Sequence, residues 1–174
     1  MVKPFARVAL LCGVLAGVAA ASLMSASTAS AHAIAELNGD PAYAGRTSIF
    51  TLELQHGCLS NEKGIDTVVA YFDSSFPSVR PKSVSGWKSQ KSRQPNGTHK
   101  IKWNLVGNRP AFNTPTYFPL SIDWPKAPGV YGVPVKQKCE GAKNMWNTPD
   151  APATANAPSP PLYPLPQIKV LPAP

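Results

Sequence analysis

Side chains suited to soft-metal clusters are scarce in this sequence of 174 residues, which has three cysteines, three methionines and three histidines. Cys12, Met1 and Met24 all fall within the first 31 residues. No CxxC pair is present, which excludes the thiolate clusters that commonly bind structural zinc. Met145 is the only methionine after residue 31, which excludes a metal site built from several thioethers.

Signatures of common catalytic sites are absent as well. Serine and aspartate occur together in "YFDSSF" (71–76) and "LSIDW" (120–124), but without the G-x-S-x-G turn that exposes a nucleophilic serine. The sequence has no paired-carboxylate motif and no glycine-rich phosphate loop. We therefore expect a protein that is not an enzyme.

The first 31 residues contain no acidic side chain and follow the plan of a secretory signal peptide. Lys3 and Arg7 precede the apolar run "VALLCGVLAGVAAASLM" (8–24), and an A-x-A site ends at Ala31. The alternative is a membrane anchor, but the run is rich in alanine and glycine and ends in a cleavage site. We expect residues 1–31 to be removed, which gives a periplasmic or secreted protein without stable membrane insertion that begins at His32.

Basic residues exceed acidic ones after the leader, because 15 of the 17 basic residues and all nine acidic residues follow Ala31. Several of the lysines and arginines fall between Lys82 and Lys102. This stretch has no recognisable nucleic-acid motif, so we expect a solvated basic face and no nucleic-acid partner, with a polyanion site as the alternative.

Two cysteines remain in the exported chain, Cys58 and Cys139. An even number of cysteines in an oxidising compartment predicts a disulfide. Such a bridge would close a loop of about 80 residues and stabilise the fold by roughly 4 kcal/mol in the loop-entropy description. A thiol metal site or a catalytic cysteine is the alternative, and no neighbouring soft ligands support it.

Apolar and polar residues alternate along most of the chain, and no long segment has helical spacing. The pattern predicts an all-β protein, either a β-sandwich or a partly open barrel. The predicted strands lie in "SIFTLELQ" (48–55), "TVVAYF" (67–72), "HKIKWNLV" (99–106), "YFPLSIDW" (117–124), "VYGVPVKQK" (130–138) and "QIKVL" (167–171).

Proline marks both the strands and the carboxyl end of the chain. Pro119 and Pro134 fall inside strand patterns, so we expect them on edge strands or at bulges. Residues 32–148 are predicted to form one domain, followed by a Pro-rich segment at 149–174. The apolar side chains of that segment predict docking along the domain: Leu162, Tyr163, Leu165 and Ile168.

A histidine at the mature amino terminus has a chemical capacity that an internal histidine lacks. The α-amine and the imidazole Nδ1 of His32 can close one chelate ring on a metal ion. Such nitrogen ligands suit Cu(II), which heads the affinity order of the divalent metals. The alternative is that cleavage simply happens to fall before a histidine.

Three other side chains are candidates for the surroundings of such a site. His56 lies two residues before Cys58, where we expect it to support the disulfide through a hydrogen bond or, alternatively, to approach the metal. His99 follows a turn in a basic stretch and is expected to be exposed. Trp146 could cover one side of the metal, and its alternative role is packing.

Several stretches of the sequence resemble the YcnI-like copper-binding domains of bacterial exported proteins. The resemblance covers nearly all of the chain after the leader. It rests on "HAIAE" (32–36), "LQHGC" (54–58), "SVRPKSVSGWKSQ" (78–90), "KIKWNL" (100–105), "GVPVKQKCEGAKNMW" (132–146) and "PLPQIKVLPAP" (164–174).

This resemblance implies an immunoglobulin-like β-sandwich that binds Cu(II) at its mature amino terminus. In the family the amine and imidazole of the first residue, here His32, bind the ion with a carboxylate, and a tryptophan matching Trp146 lies close. The implied function is copper delivery, storage or homeostasis, with a copper chaperone or copper importer as a partner.

One position departs from the family pattern, because Tyr117 stands where the metal-binding glutamate is expected. The candidates for a replacement oxygen ligand are Glu36, Asp123, Glu140 or a water, since a tyrosine is a poor ligand at neutral pH. Two other functions remain open. One is a metal-free immunoglobulin-like binding module, and the other is a copper monooxygenase-like enzyme that would need His56 or His99 as a second histidine ligand.

Overall fold

The computed structural model describes residues 33–157 and 159–174. The segments in which apolar and polar side chains alternate form β-strands. Within these residues there are eleven β-strands and no helix, so the all-β prediction is confirmed. The strands are β1 Ala33–Glu36, β2 Thr47–Leu54, β3 Thr67–Phe72, β4 Ser78–Pro81, β5 Trp87–Arg93, β6 His99–Leu105, β7 Thr116–Asp123, β8 Gly129–Gly132, β9 Val135–Cys139, β10 Ala142–Trp146 and β11 Gln167–Val170.

Two antiparallel sheets form the body of the protein. One has four strands in the order β1-β2-β7-β4, and the other has five strands in the order β10-β9-β3-β6-β5. Strands β11 and β8 form a separate two-stranded ribbon. Because the strands divide into separate sheets, the β-sandwich prediction is confirmed and the partly open barrel is wrong.

The core lies between the two larger sheets. Phe50 on β2 meets Phe72 on β3 with ring centroids 6.1 Å apart, and Trp103 on β6 meets Phe118 on β7 at 4.9 Å. Each of these side chains occupies the inward position of an alternating strand and is fully buried. Aromatic contacts across the interface therefore fix how the sheets face each other.

The predicted disulfide between Cys58 and Cys139 is present, with the Cα atoms 5.8 Å apart. Cys58 follows β2 of the four-stranded sheet, and Cys139 ends β9 of the five-stranded sheet. The bridge therefore ties the two layers together at one end of the sandwich.

Neither proline lies where the sequence predicts it. Pro119 is in β7, which is an inner strand between β2 and β4, and Thr51 is its partner on β2. Pro134 lies between β8 and β9. It divides into two strands a segment that the alternation of the sequence predicts to be one strand. Its carbonyl still accepts a hydrogen bond from Tyr71 N, 3.0 Å away. The proline thus marks the point where the chain passes from one sheet to another.

The carboxyl-terminal segment makes backbone hydrogen bonds to the rest of the chain. Thr148 N donates to Tyr163 O, and Leu165 N donates to Thr148 O. Farther on, Leu171 forms a parallel bridge with Tyr43. The N–H of Leu171 donates to Ala42 O, and the carbonyl of Leu171 accepts from Ala44 N. Pro164, Pro166, Ile168 and Val170 are buried by these contacts.

No helix in the described part of the chain is long and apolar enough to cross a membrane.

Candidate functional site

The predicted metal ligand His32 lies outside the described residues, together with the leader that precedes it. The first described residue is Ala33, which is buried and lies opposite Leu54 in the β1–β2 pair. Consecutive Cα atoms are about 3.8 Å apart across a trans peptide. The side chains around Ala33 are therefore the described residues closest along the chain to the candidate site.

A cavity of about 330 Å³ lies along the edge of β1. Ala33, Ile34 and Ala35 line one side of it, and Pro164 to Gln167 contribute to the lining. Asp150 is the only carboxylate among the described residues that line this cavity. The carboxyl-terminal segment thus brings an oxygen donor to the start of β1, a relationship that the sequence alone did not reveal.

A second carboxylate lies on the outer face of the four-stranded sheet. Glu53 on β2 is the direct partner of Ile34 on β1 and of Tyr117 on β7, so the three residues form one row across the sheet. Partial burial, with a further contribution from the neighbouring Glu36, raises the pKa of the Glu53 carboxyl above its usual value. A cation at this place would favour the ionised carboxylate and so offset both effects.

The predicted candidates Glu36 and Tyr117 lie on the same outer face but on different strands. Glu36 is at the end of β1 opposite Thr51, and Tyr117 is exposed to 51% on β7. Strand β2 lies between them and contributes Glu53. The family resemblance places Tyr117 where a carboxylate is expected, but it does not identify Glu53 as the cross-strand neighbour of that position.

The other two predicted oxygen ligands form ion pairs with arginines. Arg80 Nη2 and Nη1 donate to the two oxygens of Asp123 at 2.6 and 3.0 Å, and Thr47 Oγ1 donates at 2.7 Å. These hydrogen bonds, chiefly that from Arg80, hold the pKa of Asp123 below its usual value. Glu140 accepts a hydrogen bond from Arg109 in the same way. Both carboxylates are therefore already paired with a cation of the protein.

Trp146 lies inside the sandwich, where only 1% of it is exposed. Its ring packs edge-on against Tyr163 of the carboxyl-terminal segment, with centroids 5.2 Å apart. Its Nε1 donates to Gln137 Oε1 at 3.1 Å. The indole thus packs in the interior and connects the domain to the docked segment.

His56 does not support the disulfide with its side chain, so that prediction is wrong. Its Nδ1 is 2.6 Å from Gly57 O, its ring packs on Phe112, and its buried Nε2 has no hydrogen-bond partner among the described residues. The support comes instead from Gln137, whose Nε2 donates to His56 O at 2.7 Å and lies 3.8 Å from Cys139 Sγ.

Sequence reasoning missed Gln137 although a signal was present. Val135, Gln137 and Cys139 are successive inward positions of β9, and all three are buried. A polar side chain at an inward position needs hydrogen-bond partners. Period-two counting along "VPVKQKC" would therefore have marked Gln137 as a buried polar residue.

The prediction that His99 is exposed is wrong, because only 3% of the residue is accessible. It is on the inward face of β6 with Ile101 and Trp103, and its Nε2 is 2.9 Å from Phe76 O. Burial is the main cause of a lowered pKa for His99, with Lys91 and Arg93 contributing. The alternation of β6 outweighs the turn and the basic neighbours that suggested exposure.

Among residues 33–157 and 159–174, no group of three or more histidine, cysteine, aspartate or glutamate side chains could hold a metal ion by itself. The carboxylates beside β1 are therefore partial donor sets that fit an ion only if further ligands are added. The amine and imidazole of a mature His32 would be ligands of that kind.

Comparison with known proteins shows the fold alone. No protein-family model and no curated protein matches the sequence. The structure is similar to an uncharacterized immunoglobulin-like protein from Nocardia farcinica, with a TM-score of 0.63 and 23% identity over 81% of this chain and 99% of that one. It is also similar to a cohesin module of a family 33 glycoside hydrolase from Clostridium perfringens, with a TM-score of 0.49 and 11% identity over 82% and 97% of the two chains. The immunoglobulin-like description of the β-sandwich is thereby confirmed.

Proposed function

We propose that this chain is an exported protein that binds Cu(II) at its mature amino terminus and serves copper delivery, storage or homeostasis. The ion is cargo, bound by the α-amine and the imidazole of His32. A copper chaperone or a copper importer is the proposed partner for exchange. The periplasmic or secreted location is part of the proposal, and the disulfide supports it because such bridges persist in oxidising compartments.

The observation that best supports copper binding is the presence of two carboxylates beside the start of β1. Asp150 lines the edge cavity together with Ala33, and Glu53 lies opposite Ile34. Two nitrogens and one carboxylate oxygen form a donor set that suits Cu(II) better than the hard cations. Glu53 is also the cross-strand neighbour of Tyr117, so it can replace the carboxylate that the family pattern places there.

The decisive experiment compares two forms of the protein that differ only at the amino terminus. One form begins at His32 with a free α-amine, and in the other that amine is acetylated, which leaves the imidazole in place but removes the amine as a ligand. We expect about one Cu(II) per chain for the first form and a large loss of affinity for the second. Equal Cu(II) uptake by both forms, measured by titration and electron paramagnetic resonance, would exclude the amino-terminal site.

The oxygen ligand is identified by substitution in the form that begins at His32. Glu53→Gln and Asp150→Asn each remove one carboxylate, whereas Tyr117→Phe is the matched control because it changes the same face without removing a carboxylate. We expect weaker copper binding from one of the two carboxylate variants and no change from the control. If both carboxylate variants bind copper like the parent, neither residue is a ligand.

A metal-free immunoglobulin-like binding module is the second candidate. The exposed Tyr117 at the family's carboxylate position favours it. The two candidates differ in the copper titration, because the module takes up no ion in either form.

A copper monooxygenase-like enzyme receives less support. It needs a second histidine ligand. His99 is buried on the core side of the five-stranded sheet. The ring of His56 packs on Phe112, and its Nδ1 lies at the carbonyl oxygen of Gly57. Oxidised sugars released from chitin or cellulose in the presence of copper and a reductant would favour the enzyme instead.

A further inference from the structure

Six lysines lie on the outward face of the five-stranded sheet. Alternation fixes their direction, because the intervening residues of β6, β9 and β10 point into the core. We call this surface the lysine face. Its members come from four strands: Lys88, Lys100, Lys102, Lys136, Lys138 and Lys143.

The register brings these cations close together across the sheet. Lys138 is the direct partner of Lys143, and both Lys136 and Lys102 are partners of Val69. Adjacent strands are about 4.8 Å apart, and like charges placed directly opposite each other destabilise a sheet. The lysine side chains therefore repel one another across the sheet, and a bound anion would reduce this repulsion.

Acidic side chains do little to compensate this charge. None of the ion pairs among the described residues includes a member of the lysine face. Asp66 lines a small cavity with Lys138 and Lys143 at one end of the face, but it accepts a hydrogen bond from Glu140 N and lies 3.9 Å from Arg109.

One place on the lysine face is concave. A cavity of about 320 Å³ is lined by Tyr71, Lys136, Lys143, Asn144 and Met145. Lys136 and Lys143 bring two cations to this cavity, which suits a phosphate group, while Tyr71 and Met145 offer apolar contact beside it. Asn144 occupies an inward position of β10 opposite Gln137, so its amide belongs to the core side of the sheet.

We propose that the lysine face docks the protein on a surface of anionic phospholipid, with one phosphate headgroup in the cavity at Lys136 and Lys143. The lysines of four strands are spread over the roughly 19 Å width of the five-stranded sheet, which fits a planar lattice of headgroups. Each lysine near an anionic membrane surface contributes about 1 kcal/mol of attraction, so several lysines on one face act together. Single-stranded nucleic acid is a poorer match, because Tyr71 is the one aromatic side chain at the cavity and stacking platforms use several.

The test measures co-sedimentation of the disulfide-bonded, copper-free protein with vesicles at low salt. Vesicles of equal parts phosphatidylglycerol and phosphatidylcholine are compared with phosphatidylcholine alone. The test variant combines Lys102→Gln, Lys136→Gln and Lys143→Gln. The control variant removes three exposed lysines outside the face and therefore has the same net charge: Lys63→Gln, Lys126→Gln and Lys169→Gln.

We expect the parent to bind only the anionic vesicles, the test variant to bind them about a hundredfold more weakly, and the control variant to stay close to the parent. Equal losses in both variants would mean that total charge rather than the lysine face drives binding, which overturns the proposal. Failure of the parent to bind anionic vesicles also overturns it. A third contrary result is tight binding of soluble polyphosphate by a parent protein that leaves the vesicles unbound, since a linear polyanion is then the ligand. Thermal unfolding of all three proteins verifies that each is folded.

Discussion

Glu53 on β2 lies directly opposite Tyr117 on β7, so a carboxylate adjoins the position where the resemblance implies one but the sequence has a phenol. Compared with the position of Tyr117, the negative charge of Glu53 lies one strand closer to β1, opposite Ile34. It also places the carboxylate within electrostatic range of Glu36, where the ionised form is disfavoured.

Glu53→Gln should stabilise the metal-free protein at neutral pH. The folded-state pKa of Glu53 is raised above 4.5 by burial and then by Glu36, so ionisation destabilises the native state. This penalty is absent below the unfolded pKa and grows as the pH rises through the folded value. Urea unfolding should therefore show an advantage for the variant at neutral pH that disappears in acid. The exposed Glu62→Gln serves as control, and equal behaviour of the two variants would contradict the prediction.

Gln137→Met should lower the free energy of unfolding by about 2–4 kcal/mol. The substitution keeps the length of the side chain but removes the acceptor for Trp146 Nε1 and the donor to His56 O, which leaves two buried polar groups unpaired. Gln90→Met on the exposed face of β5 is the matched control and should change stability by less than about 0.5 kcal/mol. Urea denaturation at neutral pH measures both, and similar losses would show that the buried network is unimportant.

Removal of the disulfide by Cys58→Ala with Cys139→Ala should reduce the free energy of unfolding by about 4 kcal/mol. The reason is that the bridge joins cysteines 81 positions apart and restricts the unfolded chain. Reduction of the parent protein supplies an independent comparison with no change of side chain. If the oxidised and reduced parent unfold at the same urea concentration, the bridge does not stabilise the fold.

Asp123→Asn should destabilise the protein at neutral pH but not in strong acid. The pKa of Asp123 is lowered below 3.8 by its hydrogen bonds from Arg80 and Thr47, so its contribution is present above the unfolded pKa and is lost as the pH falls through the folded value. Because the side chain of Arg80 is 48% exposed, we expect no more than about 1 kcal/mol. Unfolding midpoints of parent and variant should converge as the pH falls, and a difference that persists in acid would contradict this explanation.

His99 should make the stability of the protein depend on pH in the mildly acidic range. Burial lowers its folded-state pKa below 6.5, with Lys91 and Arg93 acting in the same direction against the hydrogen bond at Phe76 O. The unfolded chain then binds the proton first, so stability falls as the pH drops below 6.5 and levels off below the folded pKa. His99→Gln should abolish this slope in urea titrations between about pH 7 and pH 5. An unchanged slope would assign it to other groups.

Sequence reasoning identified the faces of strands better than their partners. The alternation in "SIFTLELQ" correctly separates Phe50, Leu52 and Leu54 from Glu53, because a period of two follows directly from backbone geometry. It does not specify that Glu53 meets Tyr117, since register depends on pairing between distant segments. The break at Pro134 within "VYGVPVKQK" (130–138) was missed for the same reason. The alternation continues across the proline, but β8 before it and β9 after it belong to different sheets.

The disulfide was predictable from composition, whereas the neighbourhood of the candidate site was not. Two cysteines follow the predicted leader and leave one pairing, and the structure has it. The position of Asp150 in the cavity that Ala33 also lines depends on how the carboxyl-terminal segment docks, and no local pattern encodes that position. Long-range docking therefore limits what the sequence reveals about this end of the sandwich.

The bridge between Tyr43 and Leu171 has a consequence for the order of assembly. The N–H of Ala44 and the carbonyl of Ala42 both bond to Leu171, which lies far along the chain. A polypeptide that leaves the ribosome amino end first keeps these two groups unpaired until the segment around Leu171 has been made. Closure of this part of the fold therefore waits for the carboxyl-terminal segment.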